Sequence, residues 1–146
     1  MRSSRGKVVA MTFLYTHCPD VCPLIANKLA GSVSQLGVDA QNVDMLAVSM
    51  DPVGDSRLAI SKFTEAHGLD SYENWHYLIG APSQLQPVWT AYHVGAQPAA
   101  AAPTSGLVDH SALVYLVDRS GHLRVILDAN FNPADFLQDV KALLRS

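Results

Sequence analysis

The sequence predicts an α/β fold in a single domain. Apolar, β-branched runs of strand length alternate with segments of helical period. Gly and Pro punctuate the boundaries between them. The early strand-like runs are separated by whole helices, as parallel pairing requires. The last two are joined by only the five residues Asp118 to His122, as a hairpin requires.

Lys7 to Tyr15 (KVVAMTFLY) is an apolar run with β-branched valines, which suits a central strand covered on both faces. Pro19 to Leu36 carries Leu24, Ile25, Leu29, Val33 and Leu36 at helical spacing, and Gly37 stops it. Val43 to Met50 is a second strand. Asp55 or Ser56 caps a helix running to about Ala66, with Gly68 as terminator. Trp75 to Ile79 is a third, short strand. Ser83 to Tyr92 reads as a helix with Ser83 at its N-cap. His93 to Asp109, rich in Ala, Pro and Gly, reads as a long, irregular and mobile loop. Ser111 to Val117 and Leu123 to Leu127 form a hairpin turning at Gly121. Asn132 caps a last amphipathic helix, Pro133 to Leu144, with Pro133 at its first position.

The order is β-α-β-α-β-α-β-β-α, the thioredoxin-type arrangement in an expanded form. The 146 residues suffice for one buried core, so the domain is expected to span residues 1–146, without internal repeats. A hydrophobic content of 49% with 16% charged residues excludes a disordered chain. The net charge of −3 gives no electrostatic basis for binding nucleic acid or an anionic membrane surface. No apolar run reaches membrane-spanning length. The polar start MRSSRGK lacks the apolar stretch of a signal peptide.

The two cysteines, Cys18 and Cys22, stand four apart where the first strand gives way to the first helix. A bridge between them would close a tiny loop and remove little unfolded-state entropy, so they make a poor staple. The carboxyl edge of an α/β sheet is where sites gather, and a helix N-terminus favours thiolate. Residues four apart on a helix share a face, so both sulfurs can aim at one spot. Two chemistries compete. Thioredoxin-like oxidoreductases space their cysteines by two residues; Pro19-Asp20-Val21 makes three, which still permits a disulfide and also lets two thiolates splay around an ion. Thiolates select soft metals such as Cu(I), and imidazole suits copper in either state.

Six histidines could supply a third ligand. His17 adjoins Cys18 but is expected to face elsewhere. His67 ends a helix, where its charge is favourable. His76 is expected to fill core space in its short strand. His122 sits in the hairpin turn, exposed. His93 opens the long loop and is the second choice. His110 precedes a strand expected to run antiparallel beside the first, which brings it to the same sheet edge as Cys18. A polar start to a strand would equally accommodate Asp109-His110; the topology favours the ligand. The preceding loop would let this histidine approach or leave a metal.

Three segments resemble one family. Thr16-His17-Cys18-Pro19-Asp20-Val21-Cys22-Pro23 is similar to the cysteine motif of the SCO/SenC proteins. Ser49-Met50-Asp51-Pro52-Val53-Gly54-Asp55 resembles their SxDPxxD segment. Val108-Asp109-His110-Ser111, with Tyr115 to Gly121 after it, resembles their histidine motif and hairpin. The blocks occur in the family's order, over about Gly6 to Leu144. The resemblance implies a thioredoxin-like, membrane-anchored protein outside the cytoplasm, in a bacterium the periplasm or the outer face of the cytoplasmic membrane. It would bind one copper, Cu(I) or Cu(II), through Cys18, Cys22 and His110. It would deliver that copper to the dinuclear centre of cytochrome c oxidase, meeting the oxidase subunit that carries it and other copper chaperones. Asp51, after a strand at the same edge, would support the ligands.

The alternative is a thiol-disulfide oxidoreductase using Cys18 and Cys22 on a copper-receiving partner or in redox signalling. A peroxidase is weaker, since the nearest arginine after the dithiol is Arg57. One departure stands out. The family's anchor and the strand pair before Gly6-Lys7 are absent, which suggests a fragment or a late start. An uncovered edge or face would then favour oligomers.

Overall fold

The computed structural model describes residues 2–19, 21–94 and 113–146. Five strands form one sheet: β1 (Val8–Leu14), β2 (Val43–Ser49), β3 (Trp75–Leu78), β4 (Leu113–Val117) and β5 (Leu123–Asp128). Its order is β3-β2-β1-β4-β5. β1, β2 and β3 pair in parallel, while β4 runs antiparallel to both β1 and β5. Four helices complete the fold: α1 (Val21–Ser34), α2 (Arg57–Ala66), α3 (Pro82–Ala91) and α4 (Pro133–Arg145). The expected element order holds.

β1 is buried along its whole length because helices cover both faces of the sheet. Val8, Ala10 and Leu14 meet Ile25, Leu29 and Val33 of α1, with Phe63 of α2 and Phe136 and Val140 of α4 in the same layer. Val9, Met11 and Phe13 face Leu85 and Trp89 of α3, joined by Tyr115 and Val117. The two-residue period of the strand thus sorts its side chains between two cores.

The predicted caps hold in part. Ser56 Oγ accepts from Ala59 N at 3.1 Å, so Ser56, and not Asp55, caps α2. Asn132 Oδ1 accepts from Ala134 N at 2.9 Å. α3 starts earlier than expected: Ala81 is its N-cap and Pro82 its first residue, because proline already holds the helical φ there. Leu24, counted in the buried stripe of α1, is 39% exposed, and His76 lies on the exposed side of the edge strand β3. α1 begins at Val21, later than the predicted Pro19. The long loop expected to Asp109, and Ser111 of the expected fourth strand, fall on residues 95–112, outside the described residues.

Candidate metal centre

The carboxyl ends of β1 and β2 are stitched together where Met50 N donates to Leu14 O at 2.9 Å. Beyond Leu14 the chain turns, and Cys18 N donates to Tyr15 O at 3.2 Å. Cys18 therefore stands just before α1, and Cys22 is the second residue of that helix. Both are buried, at 6% and 2% exposure, and neither is in a disulfide. Cys22 N donates to Cys18 Sγ at 3.4 Å. Thus the helix-terminus effect expected of the pair falls on Cys18. The Cys22 thiol goes the other way: its pKa is pushed up, first by its side-chain contact with Cys18, then by burial and the Cys18 charge.

Two buried carboxylates lie beyond β2. Asp51 Oδ1 accepts from Gly54 N at 3.0 Å, while its buried Oδ2 has no hydrogen-bond partner among the described residues. A Cβ at residue 54 would collide with Asp51 Oδ2, so any side chain there would have to displace that carboxylate. Asp55, 3% exposed, accepts from Thr16 N at 2.8 Å, Thr16 Oγ1 at 2.8 Å, Ser49 Oγ at 2.7 Å and Tyr77 Oη at 3.0 Å. The Tyr77 hydroxyl is pushed up by burial first and then by the charge of Asp55, with Cys22 and Asp51 adding to it. The charges of both carboxylates and of Cys22 thus act on Tyr77 in the same direction.

The sequence pointed to Asp51 at this sheet edge; the role of Asp55 was not legible there. Its partners come from three separate segments, and the one available signal was a carboxylate four residues beyond Asp51 in a turn at the same sheet edge. His17 is exposed, with Nδ1 3.4 Å from Thr16 Oγ1. His17 lines a groove of about 430 Å³ beside α2, opposite Phe63 and His67. His67 follows α2 and packs on Phe63 at 4.6 Å between ring centroids. His122 is exposed in the hairpin turn, as expected. His93 is exposed and adopts a φ of 56°. Among the described residues no three His, Cys, Asp or Glu side chains form a metal-sized group, so neither His17 nor His93 completes one with the dithiol. His110 lies outside the described residues.

The residues present suit a thiophilic cation: two adjacent, unbridged sulfurs, shielded from water. The sequence pattern of the SCO1/SenC family matches residues 1–145. The chain belongs to the SCO1/SenC family. It is 27% identical to the mitochondrial protein SCO2 of Saccharomyces cerevisiae over 145 residues, which cover 97% of the chain and 47% of that protein. It is 29% identical to SenC of Rhodobacter capsulatus over 106 residues, 73% of the chain and 46% of SenC. The chain thus spans about half the length of these curated relatives. Among solved structures it superposes on copper-bound ScoI of Bradyrhizobium japonicum with a TM-score of 0.80 and 29% identity, covering 98% of the chain and 88% of ScoI. The thioredoxin-like fold expected of this SCO1/SenC chain is therefore its fold. No helix among the described residues is long and apolar enough to cross a membrane.

Proposed function

We propose that this chain, acting as one domain over residues 1–146, is a copper metallochaperone serving cytochrome c oxidase assembly outside the cytoplasm. The observation that carries the reading is the buried, unbridged Cys18–Cys22 pair held sulfur-to-amide at the start of α1. Family membership and the copper in ScoI, the 29% identical relative, support copper as the cargo. The third ligand in this reading is His110. Support comes from the register of β4, which starts at Leu113 and pairs Val114 with Thr12 near the end of β1. Three residues of chain before Leu113 are enough to reach the sheet edge that carries Cys18. Asp51, with its orphaned oxygen, supports the ligand set without being part of it. The receiving partner is the oxidase subunit with the dinuclear copper centre, with other copper chaperones upstream, and the full-length protein is membrane-anchored.

Copper titration of the reduced protein, followed by metal analysis, tests this. One copper per chain is expected, lost in Cys18→Ser and Cys22→Ser and weakened in His110→Ala. A site that takes zinc and rejects copper contradicts it. The contact between the two cysteines also favours a thiol-disulfide role in which Cys18 attacks and Cys22 resolves. Reductase turnover unchanged in His110→Ala, together with absent copper binding, would favour that second reading.

A further inference from the structure

We infer that Asp55 is the positioning residue of the dithiol loop: its carboxylate ties Thr16, two residues before Cys18, to the ends of β2 and β3. The inference rests on the dithiol being the working site, as proposed above. The two oxygens of Asp55 divide the labour. Oδ1 accepts both Thr16 donors, the amide and the hydroxyl, each at 2.8 Å. Oδ2 accepts from Ser49 Oγ at 2.7 Å and Tyr77 Oη at 3.0 Å. One oxygen grips the loop and the other grips the sheet. Between Thr16 and Cys18 only His17 intervenes, and the Cys18 amide is already engaged with Tyr15 O at 3.2 Å. The position of the first sulfur is therefore fixed through Thr16.

Two simpler roles are excluded. Asp55 does not cap α2, because Ser56 does. Nor does its charge help the cysteines ionise, since a fixed negative charge beside a thiol opposes thiolate. A buried charge that works against its neighbours is retained for geometry: one of its oxygens holds the loop while the other holds the sheet. Such supporting contacts hold a ligand set at its working separation, and removing them costs about 10–100-fold in metal affinity.

The test uses the whole chain and two readouts: Cu(I) affinity by chelator competition, and the dithiol–disulfide equilibrium against glutathione. Asp55→Ala, which removes both contacts to Thr16, is expected to weaken Cu(I) binding about tenfold or more, and to make the disulfide about tenfold easier to reduce, a rise of about 30 mV. Thr16→Val keeps the amide contact and should move both readouts in the same direction by a smaller factor. The double variant should lose no more than Asp55→Ala alone, because both changes cut one link. Asp55→Asn should rescue both readouts to within about threefold, since its amide oxygen can keep both Thr16 donors while the hydroxyls of Ser49 and Tyr77 turn to accept. Val9→Ala, on the opposite sheet face at the far end of β1, should lower the melting temperature and move neither readout beyond about twofold. If Asp55→Ala does not fold, Thr16→Val and Asp55→Asn carry the test. Wild-type affinity and equilibrium in Thr16→Val, or additive losses in the double variant, overturn the inference. Failure of the wild type to bind copper would refute the chaperone reading alone, because the disulfide equilibrium still tests Asp55.

Discussion

Cys22 donates its backbone amide to Cys18 Sγ at 3.4 Å, so the two sulfurs of this SCO1/SenC chain are chemically unequal. Negative charge on Cys18 is met by a helix-terminal N–H, whereas the Cys22 thiol is held in its protonated form. The single-thiol variant Cys22→Ser keeps Cys18 with its helix-terminal N–H, whereas Cys22 in Cys18→Ser stays buried, so the first should alkylate faster at roughly neutral pH. Mass spectrometry of iodoacetamide time courses measures this, and the reverse order would contradict the asymmetry.

Copper binding should release protons. The Cys22 pKa is raised, so its proton is still bound at neutral pH and a metal must displace it. Apparent Cu(I) affinity should then rise with pH, by about tenfold per unit for each proton released. Chelator competition at several pH values around neutrality reads this slope. A flat profile would mean that both thiols are already ionised.

Gly54 makes room for the Asp51 carboxylate. Gly54→Ala should push that carboxylate out of its place and destabilise the fold by about 1–3 kcal/mol, the usual range for overpacking. Chemical denaturation measures the loss. An unchanged midpoint would show that the turn relaxes freely.

Asp118 stabilises the hairpin between β4 and β5 in a pH-dependent way. Its pKa falls from 3.8 to about 2, first through the His122 backbone N–H and then through Arg124, whose Nε donates at 2.6 Å. A depressed carboxylate pKa means stability that is complete above the unfolded value and is lost as pH falls through the folded one. The melting temperature should drop between about pH 4 and pH 2, and Asp118→Asn should flatten that part of the curve while lowering stability at neutral pH.

Local chemistry made most of the fold legible. Strands buried on both faces announce themselves as unbroken apolar runs, and Ser56 and Asn132 are caps by their own side chains. Misreadings arose where neighbours decide. Leu24 fits the apolar period of α1 yet stays partly exposed, and His76 points out because β3 is an edge strand. The dithiol was legible from spacing and position. Asp55 was read as a possible cap because it precedes a helix; its true partners, Thr16, Ser49 and Tyr77, lie 39, 6 and 22 residues away, and no local pattern links them.

X-ray absorption at the copper edge of the Cu(I)-loaded protein tests the central claim most directly. The account predicts two sulfur neighbours and one nitrogen, with the nitrogen lost in His110→Ala and the sulfurs lost in the Cys18→Ser, Cys22→Ser double variant. A copper shell without sulfur, or one identical in all three proteins, would contradict it.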